Sequence, residues 1–257
     1  MPPLSPQEQA LADALWAARA GRYTLPPLAF GALDVDAAYR IQAWNLARQG
    51  GARVGRKIGL TSRAVQRQLG VDRPDVGCLT ADMDVSGPGR VDARRLVQPR
   101  IEAEVAFVLS RAIPGDADLD AIRGAIGHVV AAAEIVASVI DGWRITLFDT
   151  VADNASAGLF ALGAAPKSLA SVDPAAVAMT MHRNGQPVSQ GSGSACLGDP
   201  LNAVAWLARA AAEQGAPLQA GEIILSGALG PMAPVSPGDV FEIAIEPLGR
   251  LQVAFAA

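Results

Sequence analysis

Two glutamates within one apolar stretch are the residues best suited to chemistry in this sequence. They lie in the run RIEAEVAFVLS, residues 100–110. With a period of two, Glu102 and Glu104 share one face of a predicted strand, and apolar residues fill the opposite face. Two neighbouring carboxylates that lose hydration repel each other and require a cation. Oxygen ligands on a rigid element suit a hard divalent ion such as Mg²⁺ or Mn²⁺, although an edge strand with both glutamates in water would show the same pattern.

A third carboxylate stands alone in a second apolar run. Residues 129–140 contain one charged side chain, that of Glu134. An isolated glutamate in such a run must be protonated, paired or bound to metal, because a buried unpaired charge is costly. We therefore expect Glu134 to join Glu102 and Glu104 as a third ligand.

Lys57 is a candidate for a functional cation. It lies in a predicted strand, residues 54–60, where Gly55 and Gly59 flank it on the same face and leave room for a ligand or another backbone. A lysine on a solvent-exposed strand face is the ordinary alternative. Farther along, residues 149–158 are rich in small polar side chains that could line a pocket or form a capped turn.

The segment before these motifs predicts two helices. Ser5 followed by Pro6 predicts the start of the first helix, and Gly21 its end. An acidic residue at 34 or 36 opens the second helix, which closes at residues 50–51. Residues 1–52 therefore predict a helical N-terminal region, and residues 53–257 a β-rich catalytic domain. The helical region is too small to bury its own core, so we expect it to pack on the remainder or on a neighbouring subunit.

The rest of the chain predicts a mixture of helices and strands. Residues 117–130 predict a helix, and Asn184-Gly185 predicts the turn of a hairpin. Asp199-Pro200 predicts the start of a helix over residues 201–213. Segments that begin at residues 222, 240 and 251 predict strands separated by Gly/Pro turns.

The composition is typical of a well-packed globular protein, with 51% hydrophobic and 18% charged residues. The net charge of −4 and the lack of any basic run argue against a nucleic-acid partner. No charge-free apolar stretch reaches the roughly 18 residues that span a bilayer, and residues 1–8 have none of the features of a signal peptide. Cys78 and Cys196 fit no zinc or redox spacing. We expect a cytoplasmic protein with no membrane partner.

Several motifs occur together in a recognisable order. They are KIGLT (57–61), PD (74–75), IEAEVAF (101–107), EIV (134–136), DTVADNAS (149–156), LGDPL (197–201) and PGD (237–239). Together they resemble the 2-keto-4-pentenoate hydratase/4-oxalocrotonate decarboxylase family, within the fumarylacetoacetate hydrolase-like superfamily. The resemblance covers nearly the whole chain.

The resemblance implies an α+β fold, mixed and β-rich, with a small helical N-terminal region. It also implies assembly as a homo-oligomer and is compatible with a complex with a neighbouring pathway enzyme. A single Mg²⁺ or Mn²⁺ would be held by Glu102, Glu104 and Glu134. The family's catalytic positions fall on Lys57, Asp75 and Ser156.

The implied activity is that of a hydro-lyase. It would add water to 2-hydroxypenta-2,4-dienoate, or a close analogue, to give a 4-hydroxy-2-oxo acid in the meta-cleavage catabolism of aromatic compounds. A 4-oxalocrotonate decarboxylase would share these motifs but would need a cationic or hydrogen-bonding pocket for a distal carboxylate, and the sequence offers no obvious candidate. Hydrolysis of a carbon–carbon bond, known elsewhere in the superfamily, would require an activating His/Glu pair, and neither histidine lies in a suitable place. An alternative from a different class is a non-catalytic subunit that stabilises a partner enzyme.

The sequence departs from the family pattern after Glu134. The family usually has an arginine at the position of Val139. Loss of this fixed cation is expected to alter how an anionic substrate or a neighbouring carboxylate is neutralised.

Overall fold

The two N-terminal helices and the helix after Asp199 lie where the sequence predicts them. The computed structural model describes residues 3–87 and 90–257, so Met1, Pro2, Pro88 and Gly89 lie outside the described residues. In chain order the helices are α1 (Pro6–Gly21), α2 (Val35–Gln49), α3 (Arg63–Leu69), α4 (Leu119–Ala125), α5 (Leu147–Ala152) and α6 (Pro200–Glu213).

Hydrogen bonds at their first residues explain where α1 and α2 begin. The Ser5 hydroxyl accepts a hydrogen bond from the Glu8 N–H, and the Glu8 carboxylate accepts one from the Ser5 N–H. Asp34 caps α2 by accepting a hydrogen bond from the Ala37 N–H, which selects residue 34 over residue 36 as the start.

The two N-terminal helices do not form a core of their own. Their buried faces pack with α5 and with Val97, Val139 and Ile140 in one apolar cluster. The helical region therefore packs on the remainder of the chain, which is one of the two expected arrangements. Because the two parts share this cluster, the division at residues 52 and 53 stays a prediction.

The strands form two sheets. In chain order they are β1 (Arg53–Gly59), β2 (Asp75–Thr80), β3 (Arg90–Val91), β4 (Arg100–Leu109), β5 (Ile126–Val136), β6 (Ala157–Leu162), β7 (Ala178–Arg183), β8 (Gln186–Ser192), β9 (Ile223–Ala228), β10 (Ala233–Pro234), β11 (Val240–Glu246) and β12 (Gly249–Phe255). The larger sheet has the order β2-β1-β9-β4-β5-β6, with β10 also paired to β4. The smaller sheet has the order β3-β12-β11-β7-β8. The predicted hairpin is the β7–β8 pair.

One helix prediction is wrong. The sequence predicts a helix over residues 117–130, but α4 ends at Ala125 and β5 begins at Ile126. Residues 126–136 instead pair with β4 on one side, and β6 pairs with the second half of β5. Tertiary pairing thus overrides local helix propensity here.

The central strand β4 carries the features that position the site. It lies between β9 and β5, so the edge-strand alternative is wrong. One face of β4 is buried, as the period of two predicts, through Ile101, Ala103, Val105 and Phe107.

Among residues 3–87 and 90–257, no helix combines the length and the apolarity that crossing a membrane would need.

Candidate active site

A cluster of three carboxylates lies where β4 and β5 pair. Glu102 and Glu134 are directly opposite each other in the antiparallel register, and Glu104 follows two residues along β4. One carboxylate oxygen of each residue lies within 4.8 Å of the others. The strands thus bring the three glutamates together as the sequence predicts, and their role as ligands stays a prediction.

The environment of the cluster disfavours three separate negative charges. Burial raises the pKa of Glu104 well above its usual value, and the neighbouring Glu134 carboxylate adds to this effect. Burial, together with Glu134, also raises the pKa of Glu102 to about 7. Burial raises the pKa of Glu134 as well, against the opposing effect of Lys57. Proton uptake or a shared cation would relieve this repulsion.

The hydrogen-bond partners of the cluster leave oxygen atoms available. Glu104 Oε2 accepts a hydrogen bond of 2.7 Å from the Gly227 N–H. Glu104 Oε1 and both carboxylate oxygens of Glu134 are buried and accept no hydrogen bond from the part of the chain that the structure describes. Buried carboxylate oxygens that accept no hydrogen bond are the ligands that a hard divalent cation prefers, so the residues present fit such an ion.

Lys57 reaches this cluster from β1. It is only 4% exposed, which rules out a solvent-exposed strand face. Its Nζ lies 3.4 Å from Glu134 Oε1 and donates a hydrogen bond of 2.9 Å to the Ala155 carbonyl oxygen. Burial lowers the pKa of Lys57, but Glu134, Asp75 and the other two glutamates outweigh burial and raise it.

Glycines make room for Lys57, as expected, although Gly55 has a different neighbour. A Cβ on Gly59 would overlap Asp75 Oδ1 and lie 3.2 Å from Lys57 Nζ. A Cβ on Gly77 would lie 2.9 Å from Lys57 Cγ and Cδ. A Cβ on Gly55 would instead collide with the backbone of Ile223 in β9. Gly59 and Gly77 therefore leave space for the lysine, whereas Gly55 permits close strand packing.

Asp75 and Ser156 are joined by a residue that sequence reasoning missed. The Thr150 hydroxyl donates a hydrogen bond of 3.2 Å to Asp75 Oδ2 and lies 3.3 Å from Ser156 Oγ. Asp75 Oδ1 is buried and has no hydrogen-bond partner among the described residues. Burial raises the pKa of Asp75, and Lys57 opposes that shift. The only sequence signal for Thr150 was its place in the polar segment 149–158.

Ser156 belongs to a turn with an unusual backbone. Asn154, Ala155 and Ser156 all have positive φ, of 55°, 50° and 57°. This conformation is unfavourable for an L-residue such as alanine and requires outside support. The Asn154 side chain supplies part of it, because it accepts a hydrogen bond from the Cys78 N–H and donates one to the Cys78 carbonyl, at 2.8 and 3.0 Å.

Most of these groups line one cavity of about 760 Å³. Its polar wall includes Lys57, Asp75, Glu102, Thr150 and Ser156. Its remaining lining includes Val65, Trp143, Ile145, Met232 and Arg100. The guanidinium carbon of Arg100 lies 4.6 Å from the centre of the Trp143 ring. Arg100 thus places a positive charge in the cavity lining, where the sequence alone had offered no obvious partner for a distal carboxylate.

Val139 lies away from this cavity. It is buried in the cluster shared with α1 and α2, and its N–H donates a hydrogen bond of 3.2 Å to Asp153 Oδ2. The guanidinium of Arg19 lies 2.6 Å from Asp153 Oδ1. The Asp153 carboxylate beside Val139 is therefore neutralised by Arg19 of α1, and Val139 itself contributes only its backbone N–H.

Comparison with known proteins relates this chain to named enzymes. Residues 57–256 match the model of the fumarylacetoacetate (FAA) hydrolase C-terminal family. A 2-keto-4-pentenoate hydratase of Paraburkholderia xenovorans is 47% identical over 97% of this chain and 95% of that protein. The 2-keto-4-pentenoate hydratase 1 of Dechloromonas aromatica is 49% identical over 96% of this chain and 97% of that protein.

A solved structure is similar over the full length. It is 4-oxalocrotonate decarboxylase from Pseudomonas putida G7, complexed with magnesium and adipate. The TM-score is 0.93 at 33% sequence identity, and the match covers 99% of this chain and 100% of that chain.

Proposed function

The chain belongs to the fumarylacetoacetate hydrolase C-terminal family, and we propose that it is a divalent-metal-dependent hydratase of 2-hydroxypenta-2,4-dienoate or a close analogue. The observation that carries this proposal is the cluster of Glu102, Glu104 and Glu134 beside Lys57. The two hydratases that are 47% and 49% identical over nearly the whole chain support the reaction. The product would be a 4-hydroxy-2-oxo acid, formed in the catabolism of aromatic compounds.

The three glutamates would hold one Mg²⁺ or Mn²⁺. The buried oxygens of Glu104 and Glu134 that accept no hydrogen bond support a hard ion, and the magnesium complex of the similar decarboxylase supports the same class of ion. When bound, the ion acts as a Lewis acid that stabilises negative charge on the 2-oxygen of the substrate.

Lys57 would move a proton of the substrate. The dienoate loses its 2-hydroxyl proton and gains a proton at C5, which gives an α,β-unsaturated 2-oxo acid. Burial alone would lower the pKa of the Lys57 ammonium group, but the surrounding carboxylates outweigh burial and raise this pKa. A cation shared by the glutamates would weaken their influence and make the proton of Lys57 easier to transfer.

Asp75 would orient or deprotonate the water that adds at C4, and C3 gains the proton that the water loses. Its Oδ2 is occupied by the Thr150 hydroxyl, which leaves Oδ1 for a water molecule. Ser156 would hold the substrate or the water by a hydrogen bond. The hydroxyl of Thr150 lies between the two residues and would keep them at a fixed separation.

Decarboxylation of 4-oxalocrotonate is the second candidate, and one observation favours it. Arg100 lines the cavity and could bind the distal carboxylate of 4-oxalocrotonate. The monocarboxylate 2-hydroxypenta-2,4-dienoate has no such group. The similar structure bound to adipate, a dicarboxylate, also belongs to a decarboxylase. The relatives with the higher identity are named hydratases, so we place hydration first.

A direct assay separates the two reactions. Freshly generated 2-hydroxypenta-2,4-dienoate and 4-oxalocrotonate would each be supplied to the protein before chelation, after chelation and after addition of Mg²⁺. Metal-dependent gain of one water by the monocarboxylate would support the hydratase. Loss of carbon dioxide from the dicarboxylate alone would favour the decarboxylase. Absence of both reactions in a metal-loaded protein would leave the partner-stabilising subunit.

Assembly as a homo-oligomer stays a prediction, to be tested by light scattering.

A further inference from the structure

An arginine of the first helix reaches the turn that carries Ser156. Arg19 Nε donates a hydrogen bond of 2.6 Å to Asp153 Oδ1. Its Nη2 donates one of 2.9 Å to the Asp153 carbonyl, and its Nη1 donates one of 3.2 Å to the Ala157 carbonyl. The planar guanidinium therefore joins both ends of the segment 153–157 through three contacts.

The Asp153 carboxylate is buried, and both of its oxygens accept hydrogen bonds. Asp153 is 2% exposed, and its Oδ2 accepts the hydrogen bond from the Val139 N–H. A buried carboxylate without its cation would be costly. Burial raises the pKa of Asp153, and Arg19 opposes that shift, which agrees with an ion pair in the folded protein.

The segment that Arg19 holds is connected to the candidate catalytic groups at two points. The Ala155 carbonyl accepts the hydrogen bond from Lys57 Nζ, and Ser156 Oγ contacts Thr150. The positive φ angles of residues 154–156 are not favoured by their own side chains, apart from asparagine. Contacts from outside the turn must therefore maintain its shape.

We propose that Arg19 is a positioning residue of the active site, which fixes Lys57 and Ser156 by holding the turn at 153–157 from the N-terminal helix. The proposal rests on the proposed function for the identity of the reaction. If Arg19 has this role, the helical N-terminal region contributes to activity, although none of the described residues before 53 lines the cavity.

The variant Arg19→Lys tests this role. A lysine keeps a positive charge near Asp153, so the fold should be retained. It lacks the planar fork that lets three separate nitrogens of Arg19 reach Asp153 Oδ1, the Asp153 carbonyl and the Ala157 carbonyl at once. We expect kcat to fall about tenfold or more, because small displacements of positioned groups cost large rate factors. The Mn²⁺ affinity should stay within about twofold, because the glutamates lie on β4 and β5 rather than on the turn.

Arg40→Lys is a matched control. Arg40 also holds α1, since its Nε donates a hydrogen bond of 2.8 Å to the buried Glu8, but it has no hydrogen bond to residues 153–157. This variant weakens the α1–α2 contact without touching the turn, so its kcat should remain that of the wild type. Equal losses in the two variants would show that docking of the helix, rather than support of the turn, is what matters.

A measurement without substrate completes the test. Hydrogen–deuterium exchange of the Ser156 and Ala157 amides should accelerate in Arg19→Lys and not in Arg40→Lys. Unchanged exchange together with wild-type kcat in Arg19→Lys would overturn the proposal. If the wild type itself lacked turnover, the proposed function would fail, and faster exchange in Arg19→Lys alone would still support the contact with the turn.

Discussion

The two walls of the cavity are built in different ways. One wall consists of regular strands, where β1 carries Lys57 and the β4–β5 pair carries the glutamates. The other wall is α5 and the turn at residues 153–156, whose backbone is held by Asn154 and Arg19 through contacts distant in the sequence. The strand wall provides charge, and the turn wall provides hydroxyl and carbonyl groups.

This difference indicates separate tasks. Strand geometry fixes the spacing of the charged side chains through register, which is rigid and set by many backbone hydrogen bonds. The turn has no ladder to hold it and depends on a few side-chain contacts. We therefore expect changes in the strand wall to alter metal binding or chemistry outright, and changes behind the turn wall to alter rates in a graded way.

Lys57→Met should have the largest effect on rate. Methionine fills the buried space without a proton to transfer, so turnover should fall by about 10²–10⁴-fold. Mn²⁺ affinity should be retained or rise, because a cation 3.4 Å from Glu134 Oε1 is removed. Stopped-flow turnover and Mn²⁺ titration measure both quantities, with the exposed Lys167→Met as control. Normal turnover would remove the lysine from the mechanism.

Metal affinity should depend on pH because the strand wall binds protons. The pKa of Glu102 is raised to about 7, so this carboxyl becomes protonated as the pH falls below 7. Metal binding must then displace a proton, and affinity should fall by about tenfold per pH unit for each proton displaced. Titrations with Mn²⁺ at pH 5.5, 6.5 and 7.5 would measure this. An affinity that does not change over this range would contradict the account.

Asn154→Ala should show the graded effect of the turn wall. The variant loses two hydrogen bonds to Cys78 and an asparagine that tolerates positive φ, so the free energy of unfolding should fall by about 1–3 kcal/mol. Turnover should fall several-fold with unchanged Mn²⁺ affinity. Chemical denaturation and steady-state kinetics measure these effects.

The hairpin turn offers a matched control for this change. Asn184 also has positive φ, of 53°, and makes two side-chain hydrogen bonds, to Asp239 and Val240, away from the cavity. Asn184→Ala should also lower stability, by less because Asn184 is exposed, and should leave turnover unchanged. Equal losses of turnover in the two variants would mean that stability alone explains the rate.

The strand wall could be predicted from sequence, and much of the turn wall could not. Alternation along β4 placed Glu102 and Glu104 on one face, and the apolar run around Glu134 indicated burial. Register, which set Glu134 opposite Glu102, needed the fold. The catalytic positions Asp75 and Ser156 came from the family resemblance, and their roles stay predictions.

Residues that act across long sequence separations were missed. Arg19 lies 134 residues from Asp153, and Thr150 lies 75 residues from Asp75. No local pattern marks either contact, because the partners meet only after the helices pack on the sheet. Arg100 was overlooked for a related reason, since only the fold brings it to the cavity beside Trp143, which is distant in the sequence.

The central claim is that the strand wall holds a divalent ion that turnover requires. Mn²⁺ binding by calorimetry, with turnover of 2-hydroxypenta-2,4-dienoate in the same samples, should be compared for the wild type, Glu102→Gln and the exposed control Glu242→Gln. We predict one tight Mn²⁺ per chain and metal-dependent turnover in the wild type and the control, and loss of both in Glu102→Gln. Wild-type Mn²⁺ affinity and turnover in Glu102→Gln would contradict the account.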